Sequence, residues 1–552
     1  MTTRLLMSTD NSHTFDRIQE SYLASWCRFN PETALDAGIE DYAGELTPCD
    51  DASQGIQLVL NEKCLAALDE INITALDADR LLNYQVLHGW ALLEHHSMME
   101  HDWRYRDPTA FLPIDALHQL TIRPLESFSL ALLSRLQKVP GRVREAKTYL
   151  NLKPAIIPPV WLEMAIQECE AGVQFCHELS DHPRVQKALL QHQAIDTALH
   201  EAGKAMEDLH HSLTRLQNHA QGDFACGREH FERLLHYRHF LPISAQKLSA
   251  FGEKLFAQTS AELKKAEQDS GLTLARIRAH HPSASQLLDS YQQEMQAARD
   301  FLKANALVTL PGRQHLNVVD TPGFLRHQIP FAAYLDPSIA DLSQSAFYYV
   351  TPVSRDAELK EHNFAAIAQT SVHEAWPGHH LQFVTANQSD QGSALLRRLF
   401  PCATLYEGWA LYCEQMMLEQ GFDRYPGQNI VMLRDRLWRA LRIIIDVNIH
   451  TGEWTLEQAA AEMVDKLGFT QAQAMAECNW YSQAPTVPMS YAVGWALINA
   501  LRYIVQPADG EELRAFHDKL LQCGSVALPL VIEHQFGSAI WQQCCQHVFG
   551  ED

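Results

Sequence analysis

Apolar side chains recur three and four residues apart over most of the chain. The rhythm is clear at 14–38, 55–72, 76–100, 160–217, 243–270, 285–304, 361–376, 404–420, 428–450, 455–467 and 489–505. That is the period of helices with one buried face. Two-residue alternation is scarce, and the run AFYYVT at 346–351 is the best strand candidate. Pro and Gly gather at 107–113, 153–159, 310–324 and 484–488, where they predict connections between elements. The chain shows no internal repeat and no low-complexity tract. The pattern predicts a mostly α fold, with at most a small β-sheet close to the residues singled out below.

At 552 residues the chain exceeds what one core ordinarily organises, about 250–300 residues. A soft boundary near 220–226 predicts a helical scaffold over 1–225 and a helical region holding the chemistry over 226–552, with one continuous domain as the alternative. With 46% apolar and 20% charged residues the composition is that of a globular protein. A net charge of −23, with no basic block against it, argues against a nucleic-acid partner. No stretch approaches the roughly 18–20 apolar residues that span a bilayer, and the first residues lack the apolar run of a signal peptide. The twelve cysteines are scattered, with one adjacent pair, Cys544-Cys545, and no CxxC. Neither a cysteine-zinc framework nor a disulfide scaffold fits that spacing. These features predict a cytoplasmic protein with reduced thiols and no membrane or nucleic-acid partner.

The chemistry concentrates in His373-Glu-Ala-Trp-Pro-Gly-His-His380. A histidine beside a glutamate, with a second histidine one to two helical turns on, can supply two zinc ligands and a general base from one segment. Phe364, Ile367, Ala368, Ser371 and Val372 keep helical spacing, so a helix delivers His373 and Glu374. Pro377 cannot continue its hydrogen-bond ladder and Gly378 permits unusual backbone angles. The predicted result is a two-residue bend that makes His379 the second ligand. His380, seven residues from His373, lies about 10 Å along a regular helix and ranks behind it. A third ligand is expected from Glu407, a carboxylate in an otherwise apolar helix that also carries Glu414 seven residues on; burying it is costly unless it is paired or metal-bound. Asp435, Arg439, Arg442, Asp446 and His450 form a polar stripe on a later helix. That stripe reads either as a salt-bridge network or as a source of substrate contacts through Arg442 or His450. Tyr491 opens another helix and Arg502 lies three turns further along it; Tyr491 reads as a packing aromatic or as a hydroxyl donor to a developing oxyanion.

At these residues the chain resembles the bacterial domain-of-unknown-function 885 family, whose His-Glu-x-x-Pro-Gly-His-His-x-Gln matches His373 to His380 and Gln382. Its Glu-Gly-Trp-Ala-x-Tyr matches Glu407 to Tyr412. Further matches fall at Arg442, Asp446, His450 and Trp454, at Tyr491, Gly494 and Arg502, and near both 29–38 and 227–234. The chain departs from the pattern at Asn479-Trp-Tyr481, where an Arg-Tyr pair and a Pro-Gly turn are usual. The resemblance implies a gluzincin-like zinc peptidase with two interleaved helical lobes around a deep cleft, similar in plan to thimet-type oligopeptidases and carboxypeptidase Taq.

The resulting expectation is a zinc-dependent hydrolase of short peptides. His373, His379 and Glu407 would hold Zn²⁺, Glu374 would act as general base, and Tyr491 would stabilise the oxyanion with help from His450. Arg442, Arg502 and His380 would contact substrate. A non-catalytic helical binder with a structural or remnant metal site, and a metal hydrolase of a non-peptide amide, are the alternatives. Glu374 argues against the binder, because a structural site has no use for an unliganded carboxylate beside its ligand.

Overall fold

The structure, a computed structural model, describes residues 2–326, 329–353, 355–392 and 394–550. Among the described residues there are 24 α-helices and one three-stranded sheet. The chain divides into two compact units, Met1–Phe224 with Ser338–Leu342, and Ala225–Pro337 with Ser343–Asp552. No helix is long and apolar enough to cross a membrane.

In the first unit the helix Ala194–Leu216 packs against Phe128–Leu152 and Pro159–Leu179. Its buried face is Ile195, Ala198, Leu199, Ala202, Met206, Leu209, Leu213 and Leu216, the helical rhythm of the sequence. The segment Ser338–Leu342 belongs here because it closes on Gly38. A side chain at Gly38 would bring its Cβ within 2.5 Å of Ala340 Cβ, and Ile339 N–H donates to the Asp36 carbonyl.

The second unit holds the sheet, in the order β1 (His315–Asp320), β3 (Ser345–Val350), β2 (Ala332–Leu335). β1 runs parallel to β3, with His315 opposite Ser345, and β2 runs antiparallel, with Tyr334 opposite Tyr348. Tyr348 and Val350 of the central strand bury against Leu287 and Tyr291 of the helix Leu287–Asn305 and against Ile367 of the helix Phe364–Glu374. The sheet therefore backs the helix that carries His373.

Two further helices, Ala403–Glu419 and Gln428–His450, pack on that one. Ala403–Glu419 packs on Ser490–Val505 at a glycine-to-glycine crossing, where a Cβ at Gly408 would lie 2.5 Å from Gly494 Cα. Gln428–His450 packs along Ala245–Ser270, with Gly252 against Ile443.

Several elements differ from the periodicity. The rhythm at 14–38 breaks at Pro31 into two helices, and that at 160–217 is cut at 183 and 194 into three. Phe128–Leu152 runs through Pro140, which the pattern does not predict. β1 lies inside the stretch 310–324 that reads as a connection, because its order comes from pairing with β3.

Candidate metal centre

Asn363 starts the His-Glu helix by accepting the Ala366 N–H at 3.0 Å. The helix ends at Glu374, and the chain folds back over its last turn. Gly378 N–H donates to the Val372 carbonyl, and a Cβ at Gly378 would lie 1.8 Å from the His373 carbonyl oxygen. Such an approach admits only glycine. The Pro377 carbonyl accepts the Trp409 indole N–H at 2.8 Å, which ties the turn to the helix Ala403–Glu419. A new helix, His379–Gln388, begins immediately.

This turn sets the His379 ring 4.8 Å from the His373 ring, at 89°. Glu407 Oε2 lies 3.6 Å from His373 Nε2 and 3.4 Å from His379 Nε2. The three side chains form one group whose ligand atoms lie within 4.8 Å of one another. Both distances to Glu407 are long for hydrogen bonds, and Glu407 Oε2, though buried, has no hydrogen-bond partner. Four tetrahedral ligands at about 2.0–2.1 Å from an ion stand about 3.3 Å from one another. The spacing and the N₂O donor set therefore fit a zinc-sized ion.

The opposite face of His373 is held. Its Nδ1 is 2.7 Å from Glu414 Oε1, and Glu414 is 2% exposed. Burial disfavours the charged imidazolium, yet Glu407 and Glu414 outweigh it and raise His373 to about 10 when no metal is present. Burial also opposes ionisation of Glu407, but His379 and His373 hold it well below the usual carboxylate range. The pocket is thus built around a positive charge, either protons or a metal ion.

Glu374 is half-buried, next to His373 but outside this trio. Burial pushes its carboxyl up, while the two histidines pull it down. The backbone N–H of Tyr334, on β2, faces it. Tyr491 stacks over His373 at 6.4 Å and 13°, and its phenol lies beside Glu407. Burial, then Glu407, raises that hydroxyl well above its ordinary value, so it is a neutral donor.

The remaining sequence candidates sit elsewhere. His380 turns away from the trio. It is fully buried with its ring 4.9 Å from Trp376, its Nδ1 is 3.2 Å from the Tyr334 hydroxyl, and its Nε2 is 3.0 Å from Gln314 Oε1. Burial lowers it to about 3. A substrate contact by His380 does not fit that packing. Nor does one fit His450, which is fully buried with Nε2 at 2.9 Å from the Tyr481 carbonyl and its ring on Phe231. Arg502 Nη1 donates to Glu419 at 2.6 Å and the guanidinium faces Tyr412, so it is committed to a neighbouring helix. Arg442 does reach the site, with its guanidinium carbon 4.7 Å from the Tyr491 ring. Asp446 accepts the Thr486 and Met489 N–H groups at 3.1 Å each, anchoring the turn that starts the Tyr491 helix.

Sequence reasoning missed Tyr334, whose ring stacks on His379 at 6.1 Å, because a four-residue strand has no readable period. It also missed the roles of Glu414 and Trp409. The signal for Glu414 was present, a second carboxylate two turns along an apolar face.

No curated protein matches the chain. Two solved structures share the fold. A presumed lipoprotein from Colwellia psychrerythraea aligns at a TM-score of 0.78 with 20% identity, over 95% of this chain and 98% of its own. A presumed lipoprotein of unknown function from Shewanella oneidensis aligns at 0.73 with 20% identity, over 95% and 99%. An M32 carboxypeptidase from Deinococcus radiodurans R1 reaches 0.40 with 12% identity, over 96% and 100%, a likeness too slight to carry an argument. The model of a family described as bacterial protein of unknown function (DUF885) matches residues 31–534. The chain belongs to that family.

Proposed function

We propose that the protein is a zinc-dependent hydrolase of short peptides. The observation that carries this reading is the His373, His379, Glu407 trio, three donors that leave a fourth tetrahedral position unfilled, with a carboxylate outside the trio, Glu374, next to His373 in the chain. Zn²⁺ held by the trio would supply Lewis acidity, polarising a substrate carbonyl and making water more acidic. Glu374 takes the proton of the attacking water and delivers it to the leaving amine, a task suited to a carboxyl whose pKa burial has raised. Tyr491 donates a hydrogen bond to the carbonyl oxygen as it gains charge. Tyr334 backbone N–H steadies Glu374 from the sheet side.

The test is metal analysis together with hydrolysis of a short-peptide library by wild type and Glu374→Gln. The expected result is about one zinc per chain in both proteins and a fall in kcat of about 10²–10⁴-fold in the variant. Zinc retained with no turnover by wild type across the library overturns the peptidase reading. The compartment belongs to the same proposal. Twelve free thiols, ten of them buried, suit a reducing cytoplasm, whereas the two solved neighbours are presumed lipoproteins. Recovery of the native protein in the membrane fraction overturns the cytoplasmic placement.

A further inference from the structure

The helix Gln428–His450 carries two arginines, one turn apart, whose surroundings the metal centre does not explain. Arg442 is 5% exposed, with its guanidinium carbon 4.2 Å from the Trp438 ring centroid and 4.7 Å from that of Tyr491. One edge of the guanidinium is fixed. Nε donates to the Tyr481 hydroxyl at 2.8 Å and Nη2 to Glu477 at 3.1 Å, and Tyr481 itself donates to Glu477 at 2.7 Å. Nη1 is buried without a hydrogen-bond partner. Three residues earlier, Arg439 lies against Trp438 at 4.3 Å, pairs with Asp435 at 3.4 Å, and leaves its Nε without a partner.

A buried, charged donor with no acceptor is costly and calls for an explanation. Holding Arg442 in place is not that explanation, since Tyr481 and Glu477 already do so. Aromatic rings crowd the guanidinium and two partners occupy one edge, so Nη1 is the donor left to an incoming group. A planar guanidinium presented in this way is suited to a carboxylate. Tyr491 connects this donor to the metal centre, because its ring meets Arg442 and its phenol lies beside Glu407. One tyrosine ring separates the two, a span of one to two residues at about 3.8 Å each.

The geometry points to a carboxylate-binding subsite at Arg442, flanked by Arg439, within a residue or two of the bond to be cut, so that a short peptide is taken at its free carboxyl end. This rests on the peptidase reading above. Terminal and side-chain carboxylates share the chemistry, and the test separates them.

The zinc-loaded protein is assayed on trialanine, on its C-terminal carboxamide, and on a carboxamide whose last residue is aspartate. Binding of the same peptides to zinc-loaded Glu374→Gln is measured by calorimetry, which needs no turnover. Trialanine is expected to be favoured over its carboxamide by about 10- to 100-fold in both measurements. Arg442→Gln brings that ratio to near one, and Arg442→Lys, which keeps the charge but not the fork, falls between. The lysine variant and an unfolding midpoint guard against simple misfolding. Equal handling of acid and carboxamide by the wild-type site overturns the subsite. Full recovery with the aspartyl carboxamide overturns the carboxyl-end assignment. Preferential binding of the acid with no hydrolysis of any peptide sinks the peptidase reading and leaves the subsite standing; no binding and no hydrolysis sinks both.

Discussion

An imidazole that gives one nitrogen to a metal needs the other nitrogen held, and at His373 that role falls to Glu414, 2.7 Å from Nδ1. The contact fixes which nitrogen faces Glu407 and how the ring is turned. Glu414→Ala is therefore expected to weaken zinc binding by about 10–100-fold while the protein stays folded, as read by competition with a chelator. An unchanged affinity would make Glu414 a bystander. Backbone geometry at another residue determines which of two neighbouring histidines lies beside His373 and Glu407. With Gly378 pressed on the His373 carbonyl, His379 faces His373 and Glu407, and His380 is packed beneath Trp376. Spacing along the sequence ranked His379 first for the same reason, the interruption at Pro377. It could not reveal that His380 would be consumed by Tyr334 and Gln314, since both partners come from segments distant in sequence.

Among elements, the crossing of Ala403–Glu419 with Ser490–Val505 matters most, because it puts Glu407 and Tyr491 side by side. Gly408 and Gly494 let the two backbones touch. Within an ordinary helix, alanine in place of glycine stabilises by about 1 kcal/mol. Here the added methyl meets backbone, and Gly408→Ala is expected to destabilise by about 1–3 kcal/mol. A lowered unfolding midpoint, with zinc affinity reduced alongside it, is the measurable outcome; a raised midpoint would mean the helices part without cost. The motif helices were readable because apolar spacing and a breaker coincide at Val372 to Gly378. The helix Phe128–Leu152 was not, because Pro140-Gly141 reads as a stop unless tertiary packing carries the helix past it. β1 and β2 were equally hidden, since short strands owe their existence to β3.

At the scale of the molecule, the trio, Glu374 and Glu414 lie between residues 373 and 414 of the second unit, and Tyr334 and Tyr491 join them from other elements of that unit. An ion bound there stabilises the native state by mass action, by about 2.7 kcal/mol at a free concentration one hundred times Kd. Zinc should thus raise the thermal midpoint by several degrees, in Glu374→Gln as in wild type, and the rise should vanish in His373→Ala. A midpoint indifferent to zinc in wild type would remove the ion from the native structure. How much of this was visible in advance divides along physical lines. The helical character follows from local spacing and the three candidate donors from the interrupted His-Glu helix and a carboxylate in an apolar helix, whereas contacts such as Tyr334 on His379 and Trp409 on the Pro377 carbonyl join segments far apart in sequence and leave no local pattern. The helix Ala403–Glu419 supplies Glu407 to the trio, Trp409 to the turn that bears His379, and Glu414 to the back of His373. Docking of that single rod consequently brings Glu407 to the trio and braces both histidines in one event, so that, on the zinc reading proposed above, uptake of the ion would serve as a clock for its arrival.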